Sequence, residues 1–416
     1  MAYHSRITDT ELAGRLRASG AVLVEGPKFV GKTESARQLA ASEVLFDLDG
    51  DARAAAAVDP RLVLEGPTPR LFDEWQLAPG LWNAVRRAVD DDAADGFILT
   101  GSAVPADDET RHTGAGRISR MRMRTMSLLE LGRSTGEISL EALLSGEKPR
   151  SPDTGLTVPE IADLVAVGGW PALLGRDVNA SLVAIREYLA EITRTDVTRV
   201  DGKRRDPARV ELLIRSLARN VATHTAFKTL ADDVAATSGP MKEETAADYH
   251  DALSRLMVIE DLPAWAPHLR SKAKIRGAAK RHFVDPSLAV AALRATPTRL
   301  LKDLNQFGYL FESLAVRDLR VYAQVFDGSV LQYRDSYDVE ADAIVETPDG
   351  RWAAFEVKLG GVSAIEDAAE SLLKFAAAVD TTKSGDPALL AVITGTGYGY
   401  VREDGVAVIP IGALGP

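Results

Sequence analysis

The eight residues Gly26-Pro27-Lys28-Phe29-Val30-Gly31-Lys32-Thr33 fit the pattern G-x-x-x-x-G-K-[ST]. An apolar run at 21–25 reads as a strand before them and residues 32–41 read as a helix after them, the context a phosphate-binding loop needs. Glycines let such a loop curl so that its N–H groups face phosphate oxygens, and the positive end of the following helix adds to the attraction. The pattern assigns Lys32 to the β- and γ-phosphates of a nucleotide and the Thr33 hydroxyl to Mg²⁺. The competing reading is a chance glycine-rich turn, and a second element decides between the two.

That element is Arg70-Leu71-Phe72-Asp73-Glu74, an apolar strand that ends in adjacent carboxylates. Alone it would read as a solvated strand end. Beside a phosphate-binding loop, Asp73 becomes the outer partner of Mg²⁺ near Thr33, and Glu74 is placed to orient or deprotonate an attacking water. The next strand, at 97–100, runs into Leu99-Thr100-Gly101-Ser102. A hydroxyl there, Thr100 or Ser102, could sense a γ-phosphate, or simply cap the strand end. Arg117 follows Thr113-Gly114-Ala115-Gly116 and could reach phosphate in the same or a neighbouring subunit; a surface arginine at a strand start is the alternative. Strict alternation at 117–125 puts Arg120, Arg122 and Arg124 on a solvated face and Met121 and Met123 on a buried one. Short strands at 21–25, 44–47, 71–73 and 97–100, with helical patterns at 32–41 and 81–89, predict a parallel α/β sheet.

Composition narrows the rest. The chain has 416 residues and a formal charge of −11, so contact with nucleic acid or an anionic membrane would have to be local. It has no cysteine, which excludes disulfides, thiolate metal sites and cysteine nucleophiles. Its histidines (His4, His112, His224, His250, His268 and His282) never fall at zinc-ligand spacing. The opening residues are polar and no apolar run approaches membrane-spanning length, so the expectation is a cytoplasmic protein without a membrane segment.

Beyond a Pro/Gly/Ser-rich stretch at 146–155, read as a linker or exposed loop, the pattern turns helical. Helices are predicted at 158–167, 179–194 and 207–224, then at 227–236 and 243–257 around a turn at 237–239. In that last pair Leu230, Val234, Tyr249, Leu253 and Leu256 are spaced to pack the two helices together. Arg270, Lys272, Lys274, Arg276, Lys280 and Arg281 form the clearest basic run, a candidate grip on a nucleic-acid backbone. The neighbouring helix carries Glu243, Glu244, Asp248 and Asp251, which repel phosphate and favour a structural or protein-binding role for the helix pair. A C-terminal unit follows, with helices at 307–323 and 364–379 and strands at 330–333, 341–346, 352–358 and 388–393. The turn Thr347-Pro348-Asp349-Gly350 makes a hairpin of the middle two strands. Asp342 and Glu356 could converge across that hairpin, Lys358 shares a face with Glu356, and Glu312 could join from the preceding helix. Two carboxylates and a lysine so placed can hold a divalent ion that activates water against a phosphodiester. Solvent-facing charges on an amphipathic hairpin are the alternative.

These motifs, taken in order, resemble the prokaryotic AAA-like ATPases that carry the C-terminal domain of unknown function 4143. The resemblance rests on residues 26–33, Leu71-Phe72-Asp73-Glu74-Trp75-Gln76, Leu99-Thr100-Gly101-Ser102, Gly116-Arg117 and Ser127-Leu128-Leu129-Glu130-Leu131. It continues through Val167-Gly168-Gly169-Trp170-Pro171, Lys280-Arg281-His282-Phe283-Val284-Asp285-Pro286, Phe311-Glu312, Glu340-Ala341-Asp342 and Phe355-Glu356-Val357-Lys358. It implies a P-loop AAA-like ATPase domain of the additional-strand, catalytic-glutamate type at 1–150. A helical middle with a winged-helix-like unit would occupy 151–298, and an α/β restriction-endonuclease-like domain 299–416. By position, Lys32 and Thr33 would bind ATP and Mg²⁺, Asp73 and Glu74 would be the Walker B pair, and Asp342, Glu356 and Lys358 would take nuclease-like positions. Trp75 stands where the family usually has an aliphatic residue, and Arg204, Arg205 and residues 147–155 match nothing in it. The function expected is a Mg²⁺-dependent ATPase whose nucleotide state controls the C-terminal, DNA-binding nuclease-like domain, with a homo-oligomer as a further possibility. The alternatives are a nucleotide-controlled protein-interaction switch with an inactive nuclease-like domain, and a small-molecule kinase.

Overall fold

The computed structural model describes residues 3–91, 96–101, 113–200, 202–267, 279–335 and 339–416. It divides into two compact units. The first comprises Met1–Arg124 together with Asp196–Lys203 and Arg255–Met257; the second comprises Thr125–Thr195, Arg204–Ser254 and Val258–Pro416. Among the described residues no helix is long and apolar enough to cross a membrane.

The first unit is built on five strands: β1 Ala21–Glu25, β2 Ser42–Leu45, β3 Arg70–Asp73, β4 Phe97–Gly101 and β5 Ile118–Arg122. They form one sheet in the order β2-β3-β4-β1-β5, every neighbouring pair parallel. Four consecutive buried apolar residues, Ala21 to Val24, make β1 a central strand covered on both faces. The expected parallel sheet is thus present, and β4 lies between β1 and β3. Phe46, Phe72 and Phe97 stack in the core at centroid separations of 6.2 and 5.9 Å. Trp75 is buried against Trp82, centroids 5.2 Å apart, so the unusual tryptophan fills core volume. In β5, Met121 is buried while Arg120 and Arg122 are exposed, as the alternation predicts. The helix after the loop is shorter than predicted, Lys32–Arg37. The Ala41 N–H leaves it for the carbonyl of Pro69, at 2.7 Å, and draws the chain into β2.

In the second unit, helices Val158–Val167, Val178–Glu191, Pro207–Arg219, Phe227–Ser238 and Glu243–Arg255 stand where the periodicity predicts them. Two differ in length. The Val178–Glu191 helix runs on into a π turn, Ile192–Asp196, and Pro207–Arg219 stops short of residue 224 because the following backbone pairs with Arg281. Leu230, Val234, Tyr249, Leu253 and Leu256 are all buried. Phe227 meets the His250 ring edge-on at 5.2 Å, so the two helices of the pair touch, and Phe227–Ser238 also packs on Pro207–Arg219, where the Ser216 hydroxyl donates to Asp233 at 2.6 Å. A short pairing joins β6 Ile138–Ser139 to the C-terminal strand, numbered below. Of the two readings of 146–155, the exposed loop is the one seen: most of it is exposed, while Ser151 is buried and pairs with Gly399 through both backbone groups.

The C-terminal part carries a six-stranded mixed sheet. Its strands are β7 Ser329–Arg334, β8 Glu340–Glu346, β9 Trp352–Lys358, β10 Leu389–Thr394, β11 Tyr400–Val401 and β12 Ala407–Pro410; β13 Leu414–Gly415 is the partner of β6. The order is β11-β12-β10-β9-β8-β7. β8 and β9 form the predicted antiparallel hairpin, and the helix Val362–Ala378 crosses over to bring β10 parallel to β9. Trp265, Trp352, Tyr333 and Phe375 make its aromatic core.

Two sequence motifs meet in a buried charge network. Arg317, on the long helix Leu304–Ala323, donates to Asp318 at 2.7 Å and to Asp285 at 3.1 Å, with all three side chains at most 1% exposed. Asp285 also accepts from the Gly169 N–H at 3.0 Å and the Thr125 hydroxyl at 2.7 Å. Gly169 is required there, since a Cβ would lie 2.0 Å from the Met126 carbonyl oxygen. Breaking a buried pair from one side leaves uncompensated charge, so Arg317→Met should lower the stability of the second unit by about 3–5 kcal/mol. Urea unfolding of the full chain checks this, and a shift below about 1 kcal/mol would contradict it.

Candidate functional site

Strand β1 delivers the chain to the loop at the C-terminal edge of the parallel sheet, where open α/β sheets bind ligands. Gly26 must be glycine because a Cβ would stand 2.3 Å from the Met123 carbonyl oxygen. Gly31 takes φ 91°, and Phe29, at φ 68°, turns outward with 63% of its surface exposed. Val30 is fully buried under the loop, and its carbonyl accepts from Arg6 Nη1 at 2.9 Å. The other terminal nitrogen of Arg6 donates to the Arg124 carbonyl at 2.9 Å, so one buried guanidinium braces loop and sheet edge together. Lys28 reaches Asp196, at 2.7 and 2.8 Å from its two oxygens.

Lys32 is 7% exposed and donates to the carbonyls of Gly26 and Pro27, both at 2.9 Å. Burial pushes its ammonium down to about 8, Glu74 and Asp73 hold it up, and Lys28 pushes it down. Thr33 Oγ1 donates to Asp73 Oδ1 at 2.9 Å. The register places Thr100 beside Val24 on one side and Asp73 on the other, and its buried hydroxyl donates to the same Asp73 oxygen. Glu74 sits in the left-handed region at φ 51°, and the Gln76 amide donates to its carboxylate. Gly101 leaves room for that arrangement, since a Cβ there would meet Gln76 Oε1 at 2.8 Å. Lys32, Thr33, Asp73 and Glu74 are therefore brought together.

Two residues expected here are not placed with them. Ser102 lies outside the described residues. Arg117 precedes β5, whose first residue pairs with Ala21 at the start of β1, so it stands at the opposite end of the sheet from the loop. Four residues of strand separate the ends, about 13 Å. Arg117 there pairs with Asp90 at 2.6 Å, so its assignment to phosphate within this chain is corrected.

The C-terminal constellation also assembles. Asp342 on β8 and Glu356 on β9 face Lys358, which lies 2.8 Å from Glu356 Oε2 and 3.8 Å from Asp342 Oδ2. Glu312 joins from the Leu304–Ala323 helix through Lys280, a residue the sequence offered in the basic run and in the 280–286 motif but assigned no site role. Burial would raise Asp342, but Lys280 and Lys358 reverse this and bring it to about 2. Burial, with Asp342 nearby, pushes Glu312 and Glu356 up to about 8 against the pull of Lys280 and Lys358.

The proposed nucleic-acid grip is corrected where it is described. Lys280 is 2% exposed, and Arg281 is buried over the Phe227 ring and paired with Asp261. Neither can reach a phosphate backbone. Arg270, Lys272, Lys274 and Arg276 lie outside the described residues.

A parallel sheet whose central strand feeds a glycine loop and helix, with paired carboxylates ending the next strand but one, is the arrangement of P-loop nucleoside triphosphatases. Residues 18–132 match the model of the AAA domain, residues 158–299 that of the domain of unknown function 8612, and residues 307–414 that of the domain of unknown function 4143. The AAA and 4143 matches agree with the resemblance read from the sequence. No curated protein matches the chain. Among solved structures, the Walker-type ATPase PABY2304 of Pyrococcus abyssi is similar at 15% identity and a TM-score of 0.42, over 70% of this chain and 96% of that one.

Arg6, Gln76 and Lys280 were missed as functional positions. Arg6 follows no motif, Gln76 shows only as a neighbour of Glu74, and Lys280 is disguised among surface-like cations. Arg6→Met would strip two carbonyls of a charged donor and should cost about 2–3 kcal/mol. Urea unfolding of the first unit measures it, and an unchanged midpoint would contradict the bracing role.

Proposed function

We propose that the chain is a Mg²⁺-dependent ATP-binding protein and ATP hydrolase. The observation that carries this is the Thr33 hydroxyl held 2.9 Å from Asp73, with the Lys32 ammonium beside it and Glu74 next in sequence. The residues fit the ligands: Lys32 rests on two neutral carbonyls that phosphate oxygens can replace, and Thr33 and Asp73 present oxygen to a hard cation. Residues 26–31 would cradle phosphates with backbone N–H groups, and Lys32 would neutralise the β- and γ-phosphates. Mg²⁺, when bound, would offset charge on those phosphates. Glu74 would orient or deprotonate the attacking water, with Gln76 holding its carboxylate and Thr100 fixing Asp73.

The finer reading has residues 151–298 as a helical middle with a winged-helix-like unit and residues 299–416 as a restriction-endonuclease-like domain under nucleotide control. Convergence of Asp342, Glu356 and Lys358 supports it. Burial of Lys280 and Arg281 favours the second reading instead, a nucleotide-controlled protein-interaction switch whose nuclease-like domain is inactive. Homo-oligomers and DNA are partners that either reading would need to demonstrate.

Phosphate release with Mg²⁺-ATP should fall about 100-fold or more in Lys32→Ala and in Glu74→Gln. Duplex DNA should accelerate the parent under the first reading and leave it unchanged under the second. Turnover in the parent no higher than in Lys32→Ala would overturn the hydrolase.

The position of Lys32 adds a pH signature. Nucleotide phosphates should raise the Lys32 ammonium from about 8, so binding at pH 8 takes up about half a proton. Affinity should weaken as pH climbs from 7 to 9, because neutral lysine no longer attracts phosphate. Calorimetry in buffers of different ionisation enthalpy reads the uptake. The same buffer dependence in Lys32→Ala would contradict the assignment.

A further inference from the structure

Asp342, Glu356, Glu312 and Glu340 are where a nuclease-like domain would hold a divalent ion, and the donor set can be tested against that role. Lys280 Nζ lies 2.6 Å from Glu312 Oε1, 2.9 Å from Asp342 Oδ1 and 3.1 Å from Glu340 Oε1. The ammonium donates to Asp342 Oδ1 and stands at ion-pair distance from the Glu312 and Glu340 oxygens. The second oxygen of Asp342 accepts the Val357 N–H at 2.9 Å. Glu356 is engaged by Lys358 at 2.8 Å and by the Ser371 hydroxyl at 3.4 Å. Every oxygen of Asp342 and Glu356 is therefore already in use by a donor of the chain.

Lys280 is a built feature of the fold. Its backbone N–H and carbonyl both pair with Leu262, at 2.9 and 2.8 Å, which fixes where its side chain enters the cluster. Its side chain is 3% exposed. Access is not what would keep a metal out, because Glu312 and Lys358 line a cavity of about 600 Å³ together with Asn305, Tyr309 and Thr396. The obstacle is charge and position: Mg²⁺ requires oxygens at about 2.0–2.1 Å in an octahedron, and a fixed positive charge already stands between those oxygens. Among the described residues no group of three or more His, Cys, Asp or Glu side chains is arranged to hold a metal ion.

We propose that Lys280 is the resident cation of this cluster, standing where a nuclease-like site would carry its metal, and that the cluster takes no divalent ion. The donor set does not fit a metal, because the ammonium already stands between these oxygens and supplies the positive charge there. This deepens the second reading of the C-terminal part and is independent of ATP hydrolysis. It also makes the site latent: removing one amine should expose a carboxylate cage.

Mn²⁺ alone is the probe, followed by electron paramagnetic resonance on the full chain without nucleotide. Asp73→Asn in the parent removes the N-terminal carboxylate from consideration. The parent should show no Mn²⁺ site that depends on Asp342, and adding Lys280→Ala should create one, tighter by about tenfold or more once the repelling charge is gone. Asp342→Asn should abolish that new site. Stoichiometric Mn²⁺ binding by the parent that Asp342→Asn removes would overturn the proposal, and this titration decides even if the Lys280 variant fails to fold. Incubating the parent with DNA and Mn²⁺ separates the two claims. Binding without cleavage sinks the resident-cation proposal alone, whereas cleavage lost in Asp342→Asn sinks the inactive-domain reading with it.

Discussion

A buried ammonium is costly unless oxygens surround it, and Lys32 and Lys280, both buried, shape what their surroundings can do. Lys32 is satisfied by two neutral carbonyls, so its charge is solvated but not cancelled, and burial pulls it down to about 8. Lys280 sits among three carboxylates and is driven well above the ordinary range although burial opposes this. The same chemical group is thus poised to exchange ligands in one unit and locked in the other.

That contrast orders the functional reading. In the first unit, parallel register brings the ends of β1, β3 and β4 into line, so a loop, a carboxylate pair and a threonine meet without any long-range folding of side chains. Asp73 is oriented by two hydroxyls, from Thr33 and Thr100, and Glu74 is held by Gln76 on a left-handed turn. A few kcal/mol of such preorganisation is what lets a small set of groups act on phosphate chemistry. In the second unit the buried charges face inward and balance one another. Arg317 with Asp285 and Asp318, and Lys280 with its carboxylates, tie distant motifs into a core rather than presenting them to a ligand.

Legibility in the sequence followed the range of the interactions. The loop, the strand ending in Asp73 and Glu74, the β8–β9 hairpin and most helices were readable because periodicity and turn residues act over a few positions. Lys280 was misread because adjacent cations in sequence imply solvent, and only the fold reveals three carboxylates from two separate elements around it. Arg117 failed for a similar reason: nearness to a glycine-rich segment says nothing about which end of a strand a side chain occupies. The 146–155 stretch has the composition of a linker, yet its pairing with Gly399 depends on a partner some 250 residues away, beyond any local pattern. Arg6 has no motif at all, since a buried arginine serving two carbonyls leaves no spacing to detect.

The most direct test of this account is a crystal structure of the full chain with Mg²⁺ and a non-hydrolysable ATP analogue. The account expects the Lys32 ammonium to leave the carbonyls of Gly26 and Pro27 for the terminal phosphates, with Mg²⁺ on the Thr33 hydroxyl and Asp73 behind it. It expects Lys280 to stay among Glu312, Glu340 and Asp342 in the same crystal, with no metal beside it. A nucleotide bound away from residues 26–33, or Lys32 still resting on its own loop beneath a bound nucleotide, would contradict it.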